Sequence, residues 1–343
     1  MKKKKDEIPA EGGLIMKLFS EQEQEALLKV LEKHKAELMA RKGVHYVDVG
    51  YKFEKGKPTD KLAIRVHVYE KKPESALEST EVLPRDIEGI SLDVIQSRPE
   101  LEQEAYRNRD SRFNPLVGGV AVRNTRHGFF GTLGVVVFDA ASLAPMGLSN
   151  HHVFVGGTGQ AGDNITQPNT INNNDVIGTL TRWNQNMDCA VCTLNNSREI
   201  SRRMLDVPEG ATGVREPFIG MRVIKSGRTT GTTFGVVDGV STDEFTIIPN
   251  PFRPSPTGEI SAGGDSGSVW LEVRSGYAVG LHFAGETDPD PSAERSWAKR
   301  MIRVVNTLNI VFERPNGALG AVSWGSNRVD VFARGQDLSL IHI

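Results

Sequence analysis

The run Gly263-Gly264-Asp265-Ser266-Gly267-Ser268 sets a serine between glycines and directly after an aspartate. Serine is a poor nucleophile at its own pKa, so attack on a carbonyl needs a base to take its proton and donors for the oxyanion that forms. Glycines on both sides let the backbone turn tightly, which would aim the amides of Gly264 and Ser266 at one spot, an oxyanion hole. The same residue types also build ordinary β-turns, so the run gains meaning only from partners elsewhere in the chain.

Those partners must be a histidine that accepts the proton and a carboxylate that holds the histidine's tautomer. Leu148-Ser149-Asn150-His151-His152-Val153 follows the apolar stretch from Gly134 to Phe138 and a turn-like Asp139-Ala140-Ala141-Ser142, a hairpin pattern that delivers a histidine at a strand end. Asn186-Met187-Asp188 precedes the apolar Cys189-Ala190-Val191 and puts one carboxylate at the start of a short strand. Asp163 and Asp175 are rivals for that role, but they lie among Gly and Asn residues in what reads as a solvated loop.

The order His, Asp, Ser, followed by the strand Ala278 to Gly285, resembles the chymotrypsin/trypsin family. More closely, LSNHHV, AGDNITQP from Ala161, KSGRTTGTTFGVV from Lys225, GGDSGS and AVGLHFAG resemble the intracellular-type bacterial trypsin-like proteins with an LSNNHV histidine motif. The likeness spans roughly residues 44 to 312. It implies a mainly β fold, a chymotrypsin-like double Greek-key β-barrel, and a serine endopeptidase that works through an acyl-enzyme. In that pattern the histidine before valine is catalytic, so His152 would be the general base and His151 stands where the pattern has asparagine. Asp188 would orient the imidazole, and Ser266 would be the nucleophile with the Gly264 and Ser266 amides as oxyanion donors. The position six before the serine, at the base of the primary specificity pocket, is Ile260, which implies an apolar side chain on the acyl side of the cut. A one-residue slip would bring Glu259 there and favour Lys or Arg instead. Phe283, Ala284 and Gly285 would form the wall along which substrate pairs as an added strand. The resemblance implies a protein or peptide substrate, no cofactor and no metal. The other function class is a catalytically weak scaffold that serves as a protein-interaction module, and the complete His, Asp and Ser set favours the enzyme.

Leu116-Val117-Gly118-Gly119 also resembles the new N-terminus that trypsin-like zymogens release, whose amine pairs with the aspartate before the serine, here Asp265. Pro115 in front of it is a poor cleavage point, so assembly without processing is expected.

The rest of the chain must position these groups. Residues 1–19 read as a solvated basic tail. Residues 20–96 read as an amphipathic helix and a small α+β module: Ser20 and Glu23 form a capping box, Leu27, Leu31 and Leu38 share a face, and Gly43 stops the helix. Val44 to Tyr51, Lys61 to Val68 and Ile90 to Ile95 read as strands. Residues 97–115 carry charges without apolar period and read as an exposed linker to a peptidase domain over 116–313. Residues 314–343 hold one SWGSNRVDVFARGQD run that resembles a single repeat of bacterial lectin-like β-propellers, and one repeat cannot bury its own apolar face. A cut portion of a longer protein or a C-terminal extension would each account for it.

Composition narrows the setting. A formal charge of −2 over 343 residues leaves no electrostatic footprint for nucleic acid or a membrane surface. Only Cys189 and Cys192 are present, and residues three apart on a strand face opposite ways, so neither a disulfide nor a metal pair is expected. Without a signal-peptide stretch, the expected location is cytoplasmic. A homo-oligomer stays open.

Overall fold

Ser20 begins the first element of the computed structural model by accepting from the Glu23 amide while the Glu23 carboxylate takes the Ser20 amide, the predicted capping box. Residues 17–55, 57–78, 80–97, 99–100, 108–208, 210–286 and 294–313 are described, with the tail strands 320–325, 328–334 and 340–342. The helix, α1 (Glu21–Met39), buries Leu31 and Leu38 as its spacing requires, and Gly43 beyond it takes a φ of +84°. Lys17 and Phe19 are not a loose tail: the Lys17 carbonyl accepts from the Tyr51 hydroxyl at 2.7 Å and Phe19 is buried.

The strands β1 (Val44–Glu54) and β2 (Lys57–Val68) form the expected antiparallel hairpin. After β3 (Asp86–Ile87), β4 (Ile90–Gln96) runs parallel to β2, and β5 (Pro99–Glu100) follows at once. Strands β6 (Leu116–Gly118), β7 (Val120–Asn124), β8 (Phe130–Leu133), β9 (Val135–Asp139) and β10 (Pro145–Ser149) lead into the short helix α2 (His151–Phe154). Strands β11 (Asn164–Thr166), β12 (Val176–Asn184), β13 (Cys189–Leu194) and β14 (Ile200–Met204) complete that half. The second half holds β15 (Arg222–Gly227), β16 (Gly231–Val240), β17 (Glu244–Pro249), β18 (Val269–Glu272), β19 (Ala278–Glu286), β20 (Ser296–Arg300), α3 (Met301–Leu308) and β21 (Ile310–Val311).

Two β units result. Strands β15, β18, β19, β20, β17 and β16 pair in that order and β15 also pairs with β16, which closes a six-stranded antiparallel barrel. Strands β9, β10, β13, β12, β11, β7 and β8 form a second antiparallel sheet, to which β21 is added at the β9 edge. The fold is therefore mainly β, with the chymotrypsin-like double-barrel plan that the motifs implied. Alternate residues of β13 serve different cores: Cys189 and Val191 pack with Val269, Leu281 and α3 between the units, whereas Ala190 and Cys192 line the interior of the N-terminal sheet with Leu133, Val153 and Phe154. Both cysteines are buried free thiols on opposite faces, as the strand period requires.

The α+β region at the start is continuous with the barrel. β1 pairs with β16 through Val49↔Val240 and Gly50↔Gly239, and α1, β1 and β2 share one apolar cluster with Val237, Phe245, Ile247 and Trp270. A buried charge cluster crosses the same seam. Arg65 donates to Asp48 at 2.7 and 2.5 Å and to Asp238 at 2.8 Å, and Arg295 reaches Asp238 at 3.0 Å. The predicted exposed linker differs too. Arg109 is buried and donates to Ser226 Oγ and the Gly119 carbonyl, while Asp110 pairs with Arg228 at 2.7 Å, because desolvated guanidinium groups need such partners. Residues 101–107 of that stretch lie outside the described residues. In the tail, β22 (Gly320–Gly325), β23 (Arg328–Arg334) and β24 (Leu340–His342) pair as a three-stranded antiparallel sheet. Among the described residues no helix is long and apolar enough to cross a membrane.

Candidate active site

The hairpin β9–β10 ends at Asn150, whose extended backbone caps α2 and whose side chain donates to the Asp188 carbonyl at 2.8 Å. That bond ties the start of α2 to the turn before β13. Asp188 itself sits at φ +42°, a left-handed conformation that aspartate tolerates better than most residues, and the turn thereby aims its carboxylate back at α2. One oxygen accepts the His152 amide at 3.0 Å and the other accepts His152 Nδ1 at 2.7 Å. A neutral imidazole that donates from Nδ1 has its lone pair on Nε2. The Nε2 of His152 is buried without a hydrogen-bond partner among the described residues.

His151 is the residue that Asp188 does not bond. Its imidazole is pushed below the usual histidine range, first by burial and then by the neighbouring His152, with Asp188 opposing. The rival carboxylates are not in a solvated loop. Asp163 is buried, accepts Arg126 at 2.5 Å and Asn124 at 3.0 Å, and is held down to about 2, chiefly by the Arg126 hydrogen bond. Asp175 is buried as well and accepts Thr170 Oγ1 at 2.8 Å. Glycine and asparagine neighbours signalled a turn; the cationic partners that make burial tolerable lie far away in sequence.

Ser266 stands in the turn just before β18, in the barrel. Gly264 and Gly267 take φ values of +93° and +94°, and a Cβ on Gly267 would lie 2.2 Å from Ser149 Oγ and 2.3 Å from the Thr132 carbonyl, so only glycine fits there. Within this turn the amides of Asp265, Gly267 and Ser268 donate to Ala262, His282 and Asp265 carbonyls. The amides of Gly264 and Ser266 meet no acceptor among the described residues. Thr229 Oγ1 holds the Gly263 carbonyl at 2.5 Å, and because a trans peptide sets its N–H opposite its carbonyl, the Gly264 amide is turned away from Thr229.

The turn is anchored to both units. Thr132 on β8 donates its amide to the Ser266 carbonyl and its hydroxyl to the Gly264 carbonyl, each at 2.8 Å, which brings the sheet that carries His152 and Asp188 against the serine turn. Beneath, Asp265 is fully buried and receives Lys225 Nζ at 2.8 Å, the Thr229 amide at 2.7 Å, the Thr230 amide at 3.1 Å and Thr230 Oγ1 at 2.5 Å. Burial alone would raise this carboxyl, yet the Lys225 ammonium and these donors hold it below the usual carboxylate value. Lys225 thus meets Asp265 with a buried cation, where the resemblance would have assigned a released amine. Leu116, the expected start of such a terminus, lies within β6 and donates its amide to the Glu199 carbonyl at 2.7 Å. Sequence reasoning quoted Lys225 only within a motif; a lysine in an apolar strand pattern, Val223-Ile224-Lys225, was the signal that could have singled it out.

Around the serine, the Ser266 hydroxyl lies 3.4 Å from the Phe283 carbonyl on β19, and Ala284 and Gly285 continue that strand. Ile260 is fully buried in the barrel cluster beside Trp270 and Val279, its amide donating to Glu294 at 3.0 Å and its carbonyl accepting Thr233 Oγ1. Glu259 is exposed. Among the described residues no group of three or more His, Cys, Asp or Glu side chains could hold a metal ion.

No family model matches the chain, and no curated protein matches it. Among solved structures it is similar to Thermobifida fusca Protease A, at 17% identity and a TM-score of 0.42, over 57% of this chain and 96% of that one. It is similar also to Nocardiopsis Protease, at 16% identity and a TM-score of 0.42, over 57% and 97%. A glutamic acid specific serine protease matches at 16% identity and a TM-score of 0.43, over 57% and 99%. The double-barrel assignment rests on the strand order given above.

Proposed function

We infer that this chain is a serine endopeptidase that hydrolyses peptide bonds through an acyl-enzyme. The observation that carries this reading is the pair of amides, Gly264 and Ser266, left without acceptors among the described residues on either side of a bonded Asp265 amide and next to the Ser266 hydroxyl. A binding scaffold gains nothing from leaving two buried donors open, whereas an oxyanion supplies the acceptor they lack. In this reading His152 Nε2 takes the Ser266 proton, Oγ attacks the carbonyl, and the tetrahedral oxyanion settles on the two amides. Asp188 keeps the proton of the resting imidazole on Nδ1 and stabilises the imidazolium. The leaving amine collects the proton from Nε2, and water repeats the sequence in reverse roles to release the acid. Substrate backbone pairs along Phe283, Ala284 and Gly285, whereas Ile260, sealed in the barrel core, offers no surface to the primary side chain, so the expected apolar preference does not follow from that position. No cofactor or metal enters these steps.

A fluorophosphonate probe tests the assignment directly. Labelling should map to Ser266 and vanish in Ser266→Ala. An unlabelled native chain would sink the catalytic reading.

A further inference from the structure

The wall on which substrate is expected to pair already carries a strand of this same chain. β5 pairs antiparallel with β19, Glu100 opposite Gly285 and Pro99 opposite Glu286. The edge of β19 that β5 uses follows from its other neighbours. Gly285 is also opposite Ser296 of β20, so β5 must take the other edge, the one that β18 occupies further back through Val269↔Leu281. The Glu286 amide donates toward β20, to the Arg295 carbonyl at 2.8 Å. Alternation then turns the N–H and C=O of Gly285 to the β5 side. The register shifts between His282 and Ala284, so alternation stops there, and the side taken by the Phe283 carbonyl follows from the serine turn, which bonds His282 on the β18 side through the Gly267 amide. The Phe283 carbonyl is indeed the one that the Ser266 hydroxyl approaches. Nucleophile and β5 therefore share one edge, two residues apart along β19.

We propose that Pro99–Glu100 is a built-in competitor for substrate, a strand that holds part of the peptide-binding edge and must leave before an extended peptide can pair as far as Gly285. This rests on the peptidase reading only in naming the edge. Two features suit the segment to displacement. β5 is two residues long, and only Glu100 faces Gly285 with its N–H and C=O, so the strand is held by few bonds. It follows β4 directly, and β4 is fixed to β2 in the seam with the barrel, so the competitor is delivered at high effective concentration.

The test is binding, in a background without turnover. Ser266→Ala protein and the double variant Ser266→Ala, Glu100→Pro are titrated with a fluorescent synthetic peptide that has the sequence of residues 97 to 103. Proline at 100 removes the one amide β5 can offer to Gly285. The double variant should bind the peptide roughly three- to tenfold more tightly, the worth of about one backbone hydrogen bond returned to solvent. Equal affinities, or no binding to either protein, overturn the proposal. Glu100→Gly, which loosens the strand without a second proline, must shift affinity in the same direction. Because the serine is absent from both proteins, failure here leaves the probe-labelling result on Ser266 standing, and failure of that labelling leaves this measurement interpretable.

Discussion

The two halves of the candidate site are held in opposite ways. On the N-terminal sheet, His152 and Asp188 are joined by one ring bond and one amide bond, and their side chains remain 22% and 15% exposed. In the barrel, Asp265 and Lys225 are both at 0% and share that carboxylate with Thr229 and Thr230. The difference follows from what each half must do in the proposed reaction. An imidazole that takes and returns a proton must be able to change charge, and a fully desolvated ring would resist it. An oxyanion hole must keep its shape while charge builds, and a buried ion pair with every lone pair bonded is a rigid support.

The sharpest way to break this comparison is to remove the proton acceptor. His152→Ala should lower turnover of a peptide or ester substrate by about four to six orders of magnitude, since members of one proton-transfer unit fail together. His151→Ala should cost less than about tenfold, because Asp188 bonds the other ring. Side-by-side rates decide it, and a severe His151→Ala with a mild His152→Ala would move the register by one residue.

Loss of the support should come next in size. Lys225→Met leaves Asp265 buried without its cation, which typically costs about 3 to 5 kcal/mol of stability. Turnover should fall with it, because the Gly264 amide is carried by the same turn. Adding Asp265→Asn removes the orphaned charge, so the double variant should regain much of the stability. Denaturant melts of the three proteins read this out; a Lys225→Met protein as stable as the native chain would show that the pair is not the support.

Much of this arrangement was legible because it is local. The β9–β10 hairpin, the histidine at its end, Asp188 before β13, the capping box of α1 and the opposed cysteines all follow from residue types within a few positions of each other. The missed features depend on partners remote in sequence. Asp163 and Asp175 were read as solvated because their loop is rich in Gly and Asn, but Arg126 and Arg198 cover them in the folded chain. Lys225 meets Asp265 across 40 residues, and Arg65 meets Asp238 across 173. β5 was hidden for another reason: its pairing with Gly285 is made by backbone, which leaves no side-chain period to read.

The smallest expected effect concerns a histidine in the rigid part of the molecule. His67 lies in the seam beside the Arg65–Asp48 pair, fully buried, with Nδ1 3.0 Å from Ser97 Oγ and Nε2 3.5 Å from Asp48. Burial, aided by Arg65 and Arg295 and opposed by Asp48, pushes its imidazole down to about 4. The folded chain therefore keeps His67 neutral at pH values where the unfolded chain, with an ordinary imidazole near 6.5, has already bound a proton. Stability from this group is complete above about pH 6.5 and is lost as pH falls toward about 4. His67→Gln should flatten that acid loss by about 1 to 3 kcal/mol between neutral pH and the acid end of the window, while leaving turnover at pH 8 within about twofold. Urea unfolding across the window, in the native chain and the variant, measures it. If the two proteins lose stability in parallel, His67 is not the titrating group. If instead the variant loses turnover at pH 8 with its stability intact, the division between a proton-moving half and a shape-keeping half fails at this residue.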